Sequence, residues 1–511
     1  MKTLIFNELP SNVLLVGKMA ADITPGMTDK EFLEKEIKKW LTSPERNWQI
    51  AGDAYYDGKH DILHRERMVI DEGGKLVKAE YLPNNKVVDN QYAKMVDQKT
   101  NYLLGKPFIF DTENKLFADA LSATFTKKVR RLMRRAGLKS LTGGCAWIFP
   151  YYNSEGIFNF AIFPAHEVLP FWADTEHTDL DCAVHAFPVY TYKNNGDEEI
   201  VIKIEVIHGG GIERFIWDNG SLETDPDAQS GSFVVTVDKD GNKIGYNWEH
   251  IPLVCFKSNE KERPLLCRIK SLQDTLNLLM SDFANNMEED VHNTVLVLHN
   301  YDGEDLGEFR RNLAAYGAVK VSSVDGIDGG VDTLSVTVNA DNYKTILELT
   351  KKAIIENARG YDARDDRMGG TPNQMNIMSM YSDIDLDANG METEFQAAFE
   401  ELLWFVKVHL KNSGVGDFMN EDVNIIFNRD ILINEGEAID NIAKSEGVIS
   451  NETRLKQHPW VDDPVKELEK IKTEKEQAVA DIDIYRNAFT NGKKTADGDG
   501  TNDGDGEVDE Q

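Results

Sequence analysis

The stretch DLDANGMETEFQ, Asp385 to Gln396, has the residue types of a calcium loop, with Asp at positions one and three, Asn at five and Gly at six. Its twelfth position, where a bidentate Glu should close the coordination sphere, is Gln396, and Glu394 falls two places early. The stretch is therefore read as a helix break, with Asn389-Gly390 supplying a kink or a left-handed turn; calcium binding is the alternative. The same template fails in DGDGTNDGDG near the C-terminus, where Thr501 stands at the third ligand position. HGGG at His208–Gly211 has the composition of an oxyanion loop, but no G-x-S-x-G elbow accompanies it. Because it lies between two strand patterns, it reads as a hairpin turn. His177, Asp181 and His185 are four apart, yet Pro188 and a strand-like texture argue against one helical face, so surface or structural histidines are expected. VGKMA and LGKPF lack the rest of a phosphate-binding loop. No catalytic, metal or cofactor site is expected, and the chain is read as non-enzymatic.

One constellation stands out by charge. Lys127, Lys128, Arg130, Arg131, Arg134 and Arg135 cluster in a chain of net charge −32. On a helix they cover most of one side, with Leu132, Met133 and Ala136 as a buried stripe. They would suit contact with nucleic acid or an acidic neighbour. The alternative is a solvated face paired with acidic residues of the same or an adjacent subunit.

The elements that must position such residues follow from periodicity. Residues 28–41 place Phe32, Ile37, Trp40 and Leu41 on one helical face, capped by Thr28 or Asp29. A second helix, DNQYAKMVDQKTNYLLG, stops at Gly105 before Pro107. Residues 116–137 read as one basic helix. From Gly143 to about Asn259 short strands and turns make a β-rich insert. Leu265, Ile269, Leu272, Leu276, Leu279 and Phe283 then recur every three or four residues, the pattern of one helix of about 25 residues, ~40 Å long. A small strand–turn–helix–strand piece follows. The next helix places Tyr343, Leu347, Thr350 and Ile354 on one face. After the charged loop YDARDDRMGGTPNQ comes a third apolar-periodic helix, interrupted near Asn389-Gly390. Ser450 caps one C-terminal helix and Asp463-Pro464 opens another. NGKKTADGDGTNDGDGEVDEQ has almost no apolar residues and reads as a disordered acidic tail. The fold class is α+β, mainly helical.

At 511 residues and 41% hydrophobic composition the chain is expected to fold into several packed domains. The acidic balance argues against wrapping DNA, which needs clustered cations to displace counterions, but not against a protein that DNA passes. Four cysteines without a CxxC pair fit reduced thiols in a cytoplasm. No signal peptide, anchor or membrane span is expected.

Four ordered motifs carry a resemblance: YYDGKHDILHR (Tyr55 to Arg65), NKVVDNQYAKMVDQKTNYLLGKPFIFD, LVLHNYDGEDLGEFRRNLAAYGAVKV and VISNETRLKQHPWVDDPVKELEKIK. In the second, Asn90, Val96, Asp97, Lys99, Tyr102, Leu103, Gly105 and Pro107 match. Across residues 27–480 the chain resembles the portal proteins of tailed double-stranded-DNA bacteriophages, in the branch common in siphophages of Gram-positive hosts. The resemblance implies a portal fold with wing, stem, clip and crown, assembled as a twelve-subunit ring around a central channel at one capsid vertex. It divides the chain into 1–263 wing, 264–291 stem helix, 292–339 clip, 340–360 stem helix, 361–374 tunnel loop, 375–412 long wing helix, 413–490 crown and 491–511 acidic tail. Implied partners are the terminase large subunit, the head-tail connector or adaptor, major capsid and scaffold proteins, and the double-stranded DNA passing through. The location would be the virion, and the host cytoplasm during assembly. Asp362, Arg364, Asp365, Asp366 and Arg367 would line the tunnel, and Tyr301, Asp302, Glu304, Asp305, Arg310 and Arg311 would dock partners at the clip. After Met368-Gly369-Gly370 the chain departs from the family pattern with TPNQMNIMSMY, which leaves the start of the channel-facing helix open.

Overall fold

The computed structural model describes residues 28–70, 74–79, 82–193, 196–237, 240, 242–290, 294–299, 330–335, 340–362, 374–429, 435–461 and 463–492. They fall into two compact units, Met1–Ala363 with Tyr381–Asp430, and Arg364–Met380 with Ile431–Gln511.

The first unit opens with α1 (Asp29–Leu41) and α2 (Pro44–Tyr56). Thr28 and Glu31 form a reciprocal capping box, which satisfies two backbone amides at the start of α1. A short hairpin, β1 (Met68–Ile70) and β2 (Leu76–Lys78), precedes α3 (Gln91–Leu104), which Asn90 caps. Then come β3 (Ile109–Asp111), α4 (Lys115–Thr124) and α5 (Lys127–Gly143). The expected single basic helix is thus two. Phe125 leaves helical geometry and is buried against Phe108, Phe110 and Phe160, where it packs better than on a helix surface. Gly144 ends α5 at φ +89°, and a Cβ there would stand 2.0 Å from the Glu262 carbonyl oxygen, so only glycine fits.

The β-rich insert is as expected. Strands β4 (Cys145–Tyr152) and β5 (Phe158–Pro164) join β13 (Val254–Lys257) in a sheet of order β13-β4-β5. Between them β6 (Val168–Trp172), β7 (Leu180–Tyr192), β8 (Glu198–His208), β9 (Gly211–Asp218) and β10 (Ser221–Thr224) form a five-stranded antiparallel meander. A second hairpin, β11 (Val234–Val237) and β12 (Lys243–Tyr246), follows. Both faces of the meander are covered. Cys182, Val184 and Ala186 of β7 pack with Ile37 of α1, and the intervening Ala183 packs with Trp147 and Trp172. His208 pairs with Gly211 across Gly209-Gly210, the hairpin read from the sequence.

Helix α6 (Leu266–Asp290) has the anticipated 25 residues. Strands β14 (Thr294–His299) and β15 (Gly330–Ser335) pair antiparallel, and α7 (Ala340–Asn357) returns along α6. Helix α8 (Gln374–Asn412) is continuous over 39 residues. The expected interruption at Asn389-Gly390 does not occur. Gly390 faces open space, so its missing side chain leaves no void, while Ile384, Ala388, Met391 and Phe395 are buried on either side of it. Tertiary packing outweighs the ~1 kcal/mol helix penalty of a glycine. A final strand, β16 (Asn424–Ile426), pairs with β3. The second unit contains α9 (Glu435–Lys444), α10 (Asn451–Lys456) and α11 (Pro464–Gly492); Ser450 caps α10 and Pro464 opens α11, as read from the sequence. Among the described residues no helix is long and apolar enough to cross a membrane.

One feature of α6 was not foreseen. Beside its apolar stripe, Gln273, Asn277, Ser281 and Asn285 form a fully buried polar row. The Asn85 amide donates to Asn285 Oδ1 (2.6 Å), Val87 to Ser281 Oγ (3.0 Å), Asp89 to Asn277 Oδ1 (3.1 Å) and Tyr92 to Gln273 Oε1 (3.0 Å). Two residues of extended chain advance ~6.6 Å, and four residues of helix rise ~6 Å. The amides of Asn85, Val87 and Asp89, two apart, therefore meet Asn285, Ser281 and Asn277, four apart, and Tyr92 in the first turn of α3 meets Gln273. Asn277 also donates to His60 Nδ1 (2.8 Å), and burial keeps that imidazole below its usual range. Asn277→Leu orphans the Asp89 amide and the His60 nitrogen, and should cost about 3 kcal/mol in urea unfolding. A loss under about 1 kcal/mol would show that water or relaxed geometry replaces these bonds.

Candidate functional site

Helix α3 is the element against which the flanks of the charged loop converge. Its hidden face (Tyr92, Met95, Val96, Leu103) joins the main core, while Gln98, Lys99 and Tyr102 form a polar edge. Gln98 treats Tyr361 as one strand residue treats another. Its Nε2 donates to the Tyr361 carbonyl (2.8 Å), and its Oε1 accepts from the Tyr361 amide (3.0 Å).

This grip is possible because α7 ends in a tight turn. Arg359 lies in left-handed geometry (φ +52°), with its amide bonded to the Glu356 carbonyl and that of Gly360 to Ile355. A Cβ on Gly360 would lie 2.6 Å from Met95 Sδ and 2.7 Å from Gln98 Oε1, so glycine sets the close approach.

Lys99 holds both flanks at once. Its Nζ donates to the Arg359 carbonyl (3.2 Å) and to Asp387 Oδ2 on α8 (2.6 Å). Arg268 of α6 and Arg359 add their guanidinium groups to the other Asp387 oxygen, at 3.0 and 3.5 Å. Burial pushes the Asp387 carboxyl up, but Lys99 and Arg268 outweigh it and hold it below the usual carboxylate range. Burial pulls the Lys99 ammonium down despite Asp387. The adjoining turn of α8 is held in the same way. Tyr102 donates its hydroxyl to Asp385 (2.9 Å), and its ring stacks on Tyr381, which packs against Tyr361 at 4.5 Å. Arg429 completes the corner, bonding Asp385, Asn389 and Glu392.

The residues singled out as a possible calcium loop are therefore the outer partners of this clamp. Asp385 and Asp387 lie on a continuous helix and are engaged by Arg429, Tyr102, Lys99 and Arg268. Asp362 is the last described residue before the loop; Arg364, Asp365, Asp366 and Arg367 lie outside the described residues, as do Tyr301, Asp302, Glu304, Asp305, Arg310 and Arg311. His177 and His185 are structural, as expected. His177 bonds Glu262 (2.8 Å), while His185 is buried, stacked on Phe163 and bonded to Glu167 and Glu205.

The basic helix divides. Arg130 donates to the Phe125 carbonyl and lies over the Phe108 ring, and Arg134 donates two bonds to Asn101 Oδ1. Lys127, Lys128, Arg131 and Arg135 are exposed. Among the described residues, none of the six makes an ion pair within the chain.

The clamp residues carried a sequence signal only as a motif; their chemical role was not readable. Gln98 and Tyr361 are 263 positions apart, and no periodicity links them.

A family model described as "phage portal protein, SPP1 Gp6-like" matches residues 49–481. The portal protein of Bacillus phage SPP1 is 28% identical over 454 residues, 88% of each chain. The portal protein of Clostridium phage phiCD119 is 27% identical over 455 residues, 86% of this chain and 95% of that one.

Two outcomes test the clamp. Asp387→Asn leaves Lys99 buried without its anion and should cost about 3 kcal/mol at pH 7. Because the folded Asp387 pKa is depressed, its contribution is present above the ordinary value of about 3.9 and fades as pH falls through the folded value. The gap between parent and variant should close below about pH 4; a gap that stays constant with pH would contradict the pairing. Gln98→Ala should raise hydrogen exchange at residues 359–362 at least tenfold while leaving that of α3 unchanged, and equal exchange would rule out the grip.

Proposed function

The chain belongs to the SPP1 Gp6-like phage portal protein family, and we propose that it forms a twelve-subunit ring at one capsid vertex through which the genome is packaged and ejected. As a phage portal protein it is a virion component that serves genome packaging. The carrying observation is the family match across residues 49–481.

In this reading α6 and α7 are the stem, with residues 292–339 as the clip between them and 413–490 as the crown. The wing comprises 1–263 and the long helix 375–412. The clip takes the terminase during packaging and the head-tail connector afterwards. Capsid and scaffold proteins surround the wing, and double-stranded DNA passes through the axis. The role is structural, and the motor that drives DNA lies in a partner.

Residues 361–374 are the tunnel loop. The clamp on Tyr361 and on the Tyr381–Asp387 stretch supports this, because a loop that touches moving DNA needs feet that do not move with it. Asp362, Arg364, Asp365, Asp366 and Arg367 would meet the DNA backbone transiently. The net charge of −32 per subunit supports a wall that repels rather than grips DNA. Deleting Asp365–Gly370 should leave rings intact and lower packaging into procapsids, or genome retention, at least tenfold. Parental packaging and retention by the deletion variant would overturn the loop assignment.

A further inference from the structure

Three of the exposed cations of α5, Lys128, Arg131 and Arg135, border a cavity of about 890 Å³ between α2, α5 and β5. Lys128, Arg131 and Arg135 are spaced three and four apart and line it as a single row. Two of the cavity's three carboxylates are engaged away from that row, which leaves Asp57 against its three cations. Asp53 is bonded to Lys139 (2.9 Å) and Thr142 (2.6 Å), and Glu167 to His185. Five Lys or Arg against three carboxylates line the space, in a chain whose overall charge is −32. The floor is apolar: Ile50 is 38% exposed, with Leu132, Ile162 and Pro164 beside it. Such a floor offers nothing to a phosphate backbone but suits a protein segment.

At the other edge of the same sheet lies the opposite charge. The order β13-β4-β5 puts β5, with the cavity, at one edge and β13 at the other. Around the end of β13 stand Asp179, Glu394, Glu400 and Glu401, with Lys257 as the nearby cation and already paired to Glu262 at 3.1 Å. Among the described residues none of these four forms an ion pair. Burial, with Asp179 and Glu400 beside it, pushes the Glu401 carboxyl up to about 7. Burial and Glu260 raise Glu394. Glu394 and Glu401 are thus held charged at a cost that a docked cation would relieve.

We propose that the Lys128–Arg131–Arg135 groove of one subunit receives the Asp179–Glu394–Glu400–Glu401 patch of the next copy. Complementary patches on opposite edges of one sheet make a head-to-tail contact, the kind that closes into a ring when the rotation permits. This inference rests on the ring reading and assigns it a specific interface.

The test is a charge swap on the full chain, read by native mass. The parent should assemble. Lys128→Glu/Arg131→Glu/Arg135→Glu should need at least tenfold more protein to assemble, and so should Asp179→Lys/Glu400→Lys/Glu401→Lys. A chain carrying all six changes should regain assembly. Both triple variants assembling like the parent would overturn the interface while leaving the ring reading intact. A parent that stays monomeric at high concentration would overturn the ring reading and this inference together. Loss of duplex-DNA binding with unchanged assembly would assign the groove to DNA and overturn the proposal. Should a triple variant fail to fold, a photocrosslinker at Arg131 of the otherwise parental ring decides. Cross-links into the neighbour's 394–401 segment support the contact, and cross-links elsewhere, or none, overturn it.

Discussion

The backbone of residues 85–92 turns the amides of Asn85, Val87, Asp89 and Tyr92 into the protein, and side chains of α6 accept from all four. A buried amide left without an acceptor costs about 1–3 kcal/mol, so this segment and α6 order together. That dependence reaches outward. The segment leads directly into Asn90, whose side chain caps α3 and also bonds the Tyr55 carbonyl. Helix α3 then holds Arg359 and Tyr361 on one side and Asp385 and Asp387 on the other. Helix α6 and the flanks of the charged loop are thus tied through one short helix.

For a portal this arrangement separates two mechanical jobs. The apolar stripe of α6 packs the helix, and the polar row fixes its register, because a slip of one residue would break all four acceptors at once. The clamp has the same character. Before the loop, Gln98 and Lys99 bind backbone atoms of Tyr361 and Arg359, so they specify where the chain runs rather than which side chains follow. The loop sequence beyond Asp362 is correspondingly free to be charged and glycine-containing.

Much of this was legible in the sequence. Apolar periodicity located α1, α3, α6 and α7, and Thr28, Ser450 and Pro464 marked helix starts through backbone chemistry that is local by nature. What escaped was decided by distant packing. Phe125 splits the basic segment because a cluster of phenylalanines from β3 and β5 and the preceding loop awaits it. Asn389-Gly390 stays helical because apolar neighbours on both sides are buried and Arg429 holds Asn389. The row Gln273, Asn277, Ser281 and Asn285 has the look of a solvated face, since polar residues four apart carry no mark of whether water or backbone will meet them. The basic helix was legible as a charged face, but only its neighbours show that Arg130 and Arg134 serve the fold. The tunnel and clip assignments came from resemblance and stay a proposal.

The central claim is that α3 anchors a loop lying on the axis of a closed ring. A three-dimensional electron-microscopy reconstruction of the purified assembly tests it most directly. The account predicts an axial channel whose narrowest point is formed by residues 363–373, with Gln98 bonded to Tyr361 in every subunit. A ring whose constriction is built from other residues, or which carries this loop on its outer surface, would contradict it.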